Sequence, residues 1–349
     1  MKVILRFMIK KFLNYYTPGL VIITSAVTVV AQTTSAGGRG LFRVFSAETV
    51  QRGSYIVNTF YQAYFQVTDA NGFGNDHSIK VGVTYGLTHS LELTAQIVPY
   101  QEDQDHGFGP PGDTQIGAKW RLPFSSPSFA LGLRGFLSLP TALNHNVPFE
   151  PYSSGKLAGG VMGLLTWNVR GAHPLQVHAN VGYFDHNVTT LSVGELTDQL
   201  VFGFGIKLPI HPLILYTEYT GEIFFNNEAV SFNDNSTRLT HGFKFIGPFK
   251  TIVDFGVDIG LSRNLNPPPH PLIHEYADWK IFTGFSFQFN TRRVYGSVPK
   301  VTRRSPKEEG KMLQELKEKR GQAEEELEKM REELEKKKPE DNHEFHEFH

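Results

Sequence analysis

Two histidines, His178 and His241, fall inside stretches of alternating polarity, and three more, His343, His346 and His349, repeat in the last seven residues. An imidazole serves hydrolysis only with a nucleophile and an orienting group within hydrogen-bond reach. His178 has Asn180 two residues on but no serine motif to pair with it, and His241 falls on the apolar face of its segment. A lipid-facing hydrolytic site would share that location and nothing else; a tolerated surface histidine is the plainer reading. His106, His145, His173, His211, His270 and His274 scatter through connectors, which makes no metal site. The His-Glu-Phe-His-Glu-Phe-His run would bind zinc or nickel weakly if helical, and otherwise reads as a disordered tail. The expectation is therefore no catalytic residue, no metal site and no cofactor.

A second chemistry is electrostatic. Lys119, Arg121, Arg134, Glu218, Glu222, Arg238, Asp254 and Asp258 each sit on the polar side of a period-two pattern, together with Lys80, Glu92, Lys207, Lys244 and Lys280. Charges on one side of alternating strands whose other side is apolar must face water or each other. The elements that would position them are twelve segments: 53–68, 78–86, 91–100, 112–122, 128–139, 156–169, 174–185, 198–208, 213–223, 236–246, 251–261 and 278–289. In 251–261, Val253, Phe255, Val257, Ile259 and Leu261 face one way and Asp254, Gly256, Asp258 and Gly260 the other. The segment 156–169 fits worst, because Met162 and Leu164 fall on its supposedly polar face.

Most segments have the length of a tilted strand that crosses a bilayer. Five connectors of four or five residues alternate with six of nine to sixteen, as hairpins in an inserted barrel require. Tyr55, Tyr85, Trp120, Phe129, Phe245 and Phe289 fall outward at the short-turn ends, as an aromatic girdle would. The fold expected is all-β, a twelve-stranded antiparallel transmembrane up-and-down β-barrel with a C-terminal α-helical extension. A soluble two-sheet sandwich is the alternative, and its strands average nearer 5–6 residues.

A net charge of −1 gives no argument for nucleic acid. Lys2, Arg6, Lys10 and Lys11 precede an apolar run, Gly19 to Ala31, too short to span a membrane as a helix, and the pattern reads as a secretory signal peptide over 1–31. A retained N-terminal anchor is the alternative. With no cysteine, an exported fold must hold itself by burial or closed hydrogen bonding.

Tyr85-Gly86-Leu87-Thr88 leading into Leu91-Glu92-Leu93, Leu139-Pro140-Thr141-Ala142, and Tyr216-Thr217-Glu218-Tyr219 resemble bacterial outer-membrane barrels of the phenol-degradation MetA-pathway type and the barrel halves of OmpA-like proteins. The resemblance covers about residues 40–290 and implies a compartment and an architecture more than a substrate. Gly284-Phe285-Ser286-Phe287-Gln288-Phe289 looks like the signal read by barrel assembly machinery, with Phe282 where a polar residue is usual. The chain departs from the OmpA-like pattern in lacking a globular peptidoglycan-binding domain after the barrel.

Two readings of the lumen stand. Lys119, Arg121 and Arg134 on one wall against Glu218, Glu222, Asp254 and Asp258 on the other would set a transverse field favouring dipolar solutes. Alternatively the charges pair locally, Lys244 with Asp254 for example. Residues 305–338 hold 21 of the 69 charged residues, open on the capping box Ser305-Pro306-Lys307-Glu308 and stop at Pro339, which predicts a helix. Its broken apolar seam leaves open whether it stands alone, self-associates or binds a periplasmic partner.

The organisation expected is signal peptide 1–31, periplasmic segment 32–52, barrel 53–290, linker 291–304, charged helix 305–338 and tail 339–349, in the outer membrane with both termini periplasmic. The partners expected are outer-membrane lipid, barrel assembly machinery and small solutes, with no nucleic acid. The function expected is a passive channel with a mixed-charge lumen; the rival is a closed structural barrel that anchors the helix to a partner or the cell wall.

Overall fold

A computed structural model describes residues 32–68, 72–101, 111–126, 128–142, 155–169, 174–190, 195–224, 226–228, 230–262, 277–290, 317–322 and 324–331. The expected signal peptide, linker and histidine tail lie outside these residues, as do His106, His145, His173, His270 and His274.

The alternating segments become twelve strands: β1 Ser54–Thr68, β2 Gly72–Gly86, β3 Leu91–Gln101, β4 Thr114–Arg121, β5 Phe129–Leu139, β6 Ala158–Val169, β7 Leu175–Asp185, β8 Gln199–Ile210, β9 Leu213–Phe224, β10 Ser236–Ile246, β11 Thr251–Gly260 and β12 Trp279–Asn290. Each pairs antiparallel with its neighbours in sequence, and β1 pairs with β12 from Ser54↔Asn290 to Phe65↔Trp279, so the sheet closes and leaves no edge. Eleven of the twelve strands match the expected segments within about two residues at each end. β2 differs, because it begins at Gly72 where a loop was expected from 69 to 77, and its register runs to Thr68↔Gly72. Gly72, Gly74, Asn75 and Asp76 are weak strand formers, and ladder pairing with β1 overrides that local preference.

Side chains alternate between a solvent-excluded interior and an exposed outside, cleanly so in β3, where Glu92, Thr94, Gln96 and Val98 are buried and Leu93, Ala95 and Ile97 are exposed. The exposed set is apolar around the ring, including Leu133, Val181, Leu215, Phe255 and Phe285. Short turns are built from local chemistry. Thr88 Oγ1 accepts from Ser90 N and Leu91 N at 3.1 and 2.9 Å, and the β10–β11 turn places Phe249 and Lys250 at positive φ, as tight hairpin turns require.

The N-terminal segment departs from expectation. Residues 32–50 precede the barrel in sequence but lie inside it, in the half nearer the short turns. Leu41, Phe42, Val44, Ala47 and Val50 are at most 1% exposed. The segment turns over at Gly37 and Gly38, both at positive φ, and makes antiparallel bridges Thr33↔Arg39 and Gly40↔Phe45. It returns to the short-turn end, where Gly53, again at positive φ, donates to Gly86 O at 2.7 Å and begins β1.

The second unit of the chain spans Arg293–His349. In it residues 317–322 and 324–331 are helical, Arg320 pairs with Glu324 at 2.9 Å, and Leu327 and Met330 are exposed.

Candidate functional site: the lumen and its plug

The inward charges hold the N-terminal segment. Glu218, at mid-height on β9, accepts from the backbone N–H groups of Phe42, Arg43 and Val44 at 2.9–3.1 Å. Asn180 on β7 treats Phe45 as a neighbouring strand would, accepting from its N at 2.7 Å and donating to its O at 2.9 Å. Glu92 on β3 accepts from Arg39 N and Val50 N at 3.0 and 2.8 Å and pairs with Lys119 at 2.8 Å. Lys119 also donates to Arg39 O, and Lys244 to Thr33 O and Leu41 O. A segment without regular strand pairing has backbone groups that must find partners when buried, and the wall supplies them.

His178, considered above as a catalytic candidate, belongs to the same system. Its Nδ1 lies 2.9 Å from Thr166 Oγ1, which accepts from Ala47 N at 2.9 Å. Both side chains are buried, so the pair serves to seat the plug. His241 is on the outer face, 2.9 Å from Thr217 Oγ1. Among the described residues no group of three metal-ligating side chains comes together.

The apolar contacts explain the misfits in the inward pattern. Met162 and Leu164 on β6 do point inward, and they pack with Phe45 and Ala47 of the plug. Phe282, out of pattern in the last strand, stacks on Phe42 with centroids 3.7 Å apart and planes 7° from parallel. Phe60 and Tyr216 complete that cluster around Leu41. Opposite them β8 presents no side chain at Gly205, where a Cβ would stand 2.6 Å from Leu41 Cδ1. Gly205→Leu should therefore push the plug outward while leaving the ladder paired, since overpacking costs about 1–3 kcal/mol. The chain has no cysteine, so a single Ala47→Cys reporter measures this. Its maleimide labelling rate in the folded barrel should rise about tenfold, a 1.4 kcal/mol shift, and an unchanged rate would refute the expectation.

Of the eight residues expected in the lumen, Lys119, Arg134, Glu218, Arg238, Asp254 and Asp258 are buried on the inner face and Arg121 and Glu222 are half-buried. The opposed-wall field does not form across open space, because the plug stands between the walls. Charges instead meet neighbours. Lys244 pairs with Asp254, its facing residue, and Arg238 with Asp258 at 2.8 Å, where Arg43 of the plug joins at 2.7 Å. The six girdle residues all point outward; Tyr55 stacks on Tyr85 and Phe289, with centroids 4.4 and 5.5 Å apart. The plug itself escaped sequence reading; the traces noted were Met162, Leu164 and Phe282 on the wrong face, and Ile56, Phe60 and Tyr216 turn inward against it as well.

Beyond the plug, toward the long connectors, the lumen opens into a cavity of about 300 Å³ whose floor includes Ser35, Phe42, Arg43 and Phe45. Its wall carries Gln96, Gln115, Arg134, Glu222, Arg238 and Lys280. His186 also lines it; burial pushes this imidazole below its usual range, and its Nε2 lies 2.9 Å from Gln199 Oε1.

Fold and lumen together define a twelve-stranded antiparallel barrel stopped from within by its own N-terminal segment. No family model and no curated protein matches the chain. Solved structures similar in form include an outer membrane channel from Pseudomonas putida F1, with 10% identity and a TM-score of 0.45 over 70% of this chain and 98% of that one. The KdgM porin shows 8% and 0.43 over 67% and 99%, and the CymD monoaromatic hydrocarbon channel 9% and 0.36 over 69% and 89%. The likeness is one of barrel form.

Proposed function

We propose that the protein is an outer-membrane channel for small polar solutes, closed in this structure by residues 32–50. The observation that carries this reading is how the lumen is stopped: wall groups such as Glu218, Asn180 and Thr166 bond to the backbone of one segment that is not itself part of the barrel wall. Withdrawal of that segment would uncover a mixed inner surface, polar at Glu92, Lys119, Asn180 and Glu218 and apolar at Phe60, Leu164 and Phe282. The apolar exposed ring supports the membrane setting, since each large apolar side chain left in water forgoes roughly 1.5–3 kcal/mol of burial. Lipid would cover that ring, the last strand would be read by the assembly machinery, and the short-turn end would face the periplasm.

The rival is a permanently closed barrel that anchors the helix of 305–338 to a partner or a second copy. It is favoured by the apolar seating of Leu41 and Phe42 and by the exposed Leu327 and Met330.

One switch separates the two. Ser46 Oγ and Thr166 Oγ1 lie 3.2 Å apart, and cysteines at both positions should form the chain's sole disulfide and lock the plug to β6. In planar bilayers the full chain should show discrete openings when reduced and none when oxidised. Equal conductance in both states would mean solutes pass without plug movement. Silence in both, from a barrel shown folded by heat-modifiable migration, would establish the closed anchor.

A further inference from the structure

Arg134 is a lumen charge that the plug covers with a ring but does not meet with an acceptor. It is 3% exposed at mid-height on β5, and its guanidinium lies between two rings, Cζ 4.2 Å from the centroid of Phe45 on the plug and 4.5 Å from that of Phe136 on the wall. Its one hydrogen bond is from Nη2 to Gln115 Oε1 at 2.7 Å. Its Nε is buried without a partner, and among the described residues no carboxylate lies within ion-pair distance. Two ring faces and one amide leave a buried guanidinium short of acceptors, and the group that best supplies them is an anion able to take two parallel N–H bonds.

The surroundings define that anion further. Arg134 lines the cavity above the plug, where five cationic side chains face two carboxylates, Asp113 and Glu222. A third, Asp258, is already shared by Arg43, Arg238 and Lys280. A volume of about 300 Å³ stands at the small end of ligand pockets, which run roughly 300–1,000 Å³. Phe136 and Phe184 offer apolar surface beside the arginine, and Gln96 and Gln115 offer amides.

We propose that this cavity binds a small organic carboxylate, its two oxygens on Arg134 and its compact body against Phe136 and Phe184. The proposal builds on the channel reading by giving the channel a solute class. Because Phe45 covers one face of the same guanidinium, the occupant would rest on wall and plug at once.

The test is calorimetric titration of the folded full chain in detergent with benzoate, its uncharged counterpart benzyl alcohol, and inorganic phosphate. Benzoate should bind saturably and benzyl alcohol should not. Arg134→Met should weaken benzoate by at least about tenfold, the scale of one charge-assisted bidentate contact, and Arg134→Lys should recover part of it. Should Arg134→Met fail to fold, Ser138→Trp fills the cavity from the same strand without touching the guanidinium, and should abolish benzoate binding. No benzoate binding by a folded barrel, or binding indifferent to both substitutions, would overturn the proposal. Phosphate binding as tight as benzoate would overturn its organic part. Binding is read without flux, so a silent barrel that binds benzoate refutes the channel alone, and a conducting barrel that ignores it refutes this inference alone.

Discussion

Replacing Glu218 with leucine should free the plug while leaving the barrel standing. All the hydrogen bonds of this buried carboxylate run to Phe42, Arg43 and Val44, so no strand pairing depends on it. With leucine there, a docked plug would hold three buried N–H donors without acceptors, each costing about 1–3 kcal/mol. Undocking returns those donors to water and becomes the cheaper state. Even about 3 kcal/mol in total moves the docking equilibrium by more than a hundredfold, at 1.4 kcal/mol per factor of ten. The Ala47→Cys reporter should then label at close to the rate of an open chain, with heat-modifiable migration unchanged. Glu218→Gln, which keeps an acceptor but loses the charge, should fall between. A leucine variant that labels as slowly as the parent would show that polar seating at mid-height does not hold the plug.

Phe42→Ala attacks the other half of the seating. The ring is 1% exposed, stacked on Phe282 and edge-on to Phe60 at 5.6 Å. Truncating a buried phenylalanine costs about 3–5 kcal/mol. Here nearly all of that falls on docking, because Phe42 belongs to the plug and the ladder is untouched. Amide hydrogen exchange reads the result segment by segment: protection over residues 41–50 should drop by at least a hundredfold, at 1.4 kcal/mol per factor of ten, while β1 to β12 keep theirs. Equal loss in the strands would mean that plug and barrel fold as one unit, and would count against a displaceable stopper.

The strands were legible because their signal is local and repeated. Val253 to Leu261 alternate with Asp254 to Gly260, and one face of a sheet must follow that period. The upper half of β2 was not, since Gly72, Gly74 and Asn75 are held by pairing with β1 rather than by their own preference. Residues 32–50 carry neither period. Their order comes from contacts remote in sequence, such as Phe42 to Glu218 across 176 positions and Phe45 to Asn180 across 135. A reader of the strands alone therefore sees Glu218 as a pore charge, when its partner is a backbone that no spacing announces. Met162, Leu164 and Phe282 were a legible trace, because apolar side chains turned inward among charges require something apolar to meet.

The plug enters and leaves by one mouth. Gln32 reaches Lys207 near the short-turn end of β8, and Gly53 turns into β1 at the same end of the barrel. Among the described residues the segment is thus a loop dipped into a tube, with both of its ends at the same rim. Drawing it out unties no crossing and breaks no pair of the β1–β12 seam. On the channel reading, a finished barrel would lose and regain its stopper, pivoting at Gly53, without passing through any state in which its wall is open.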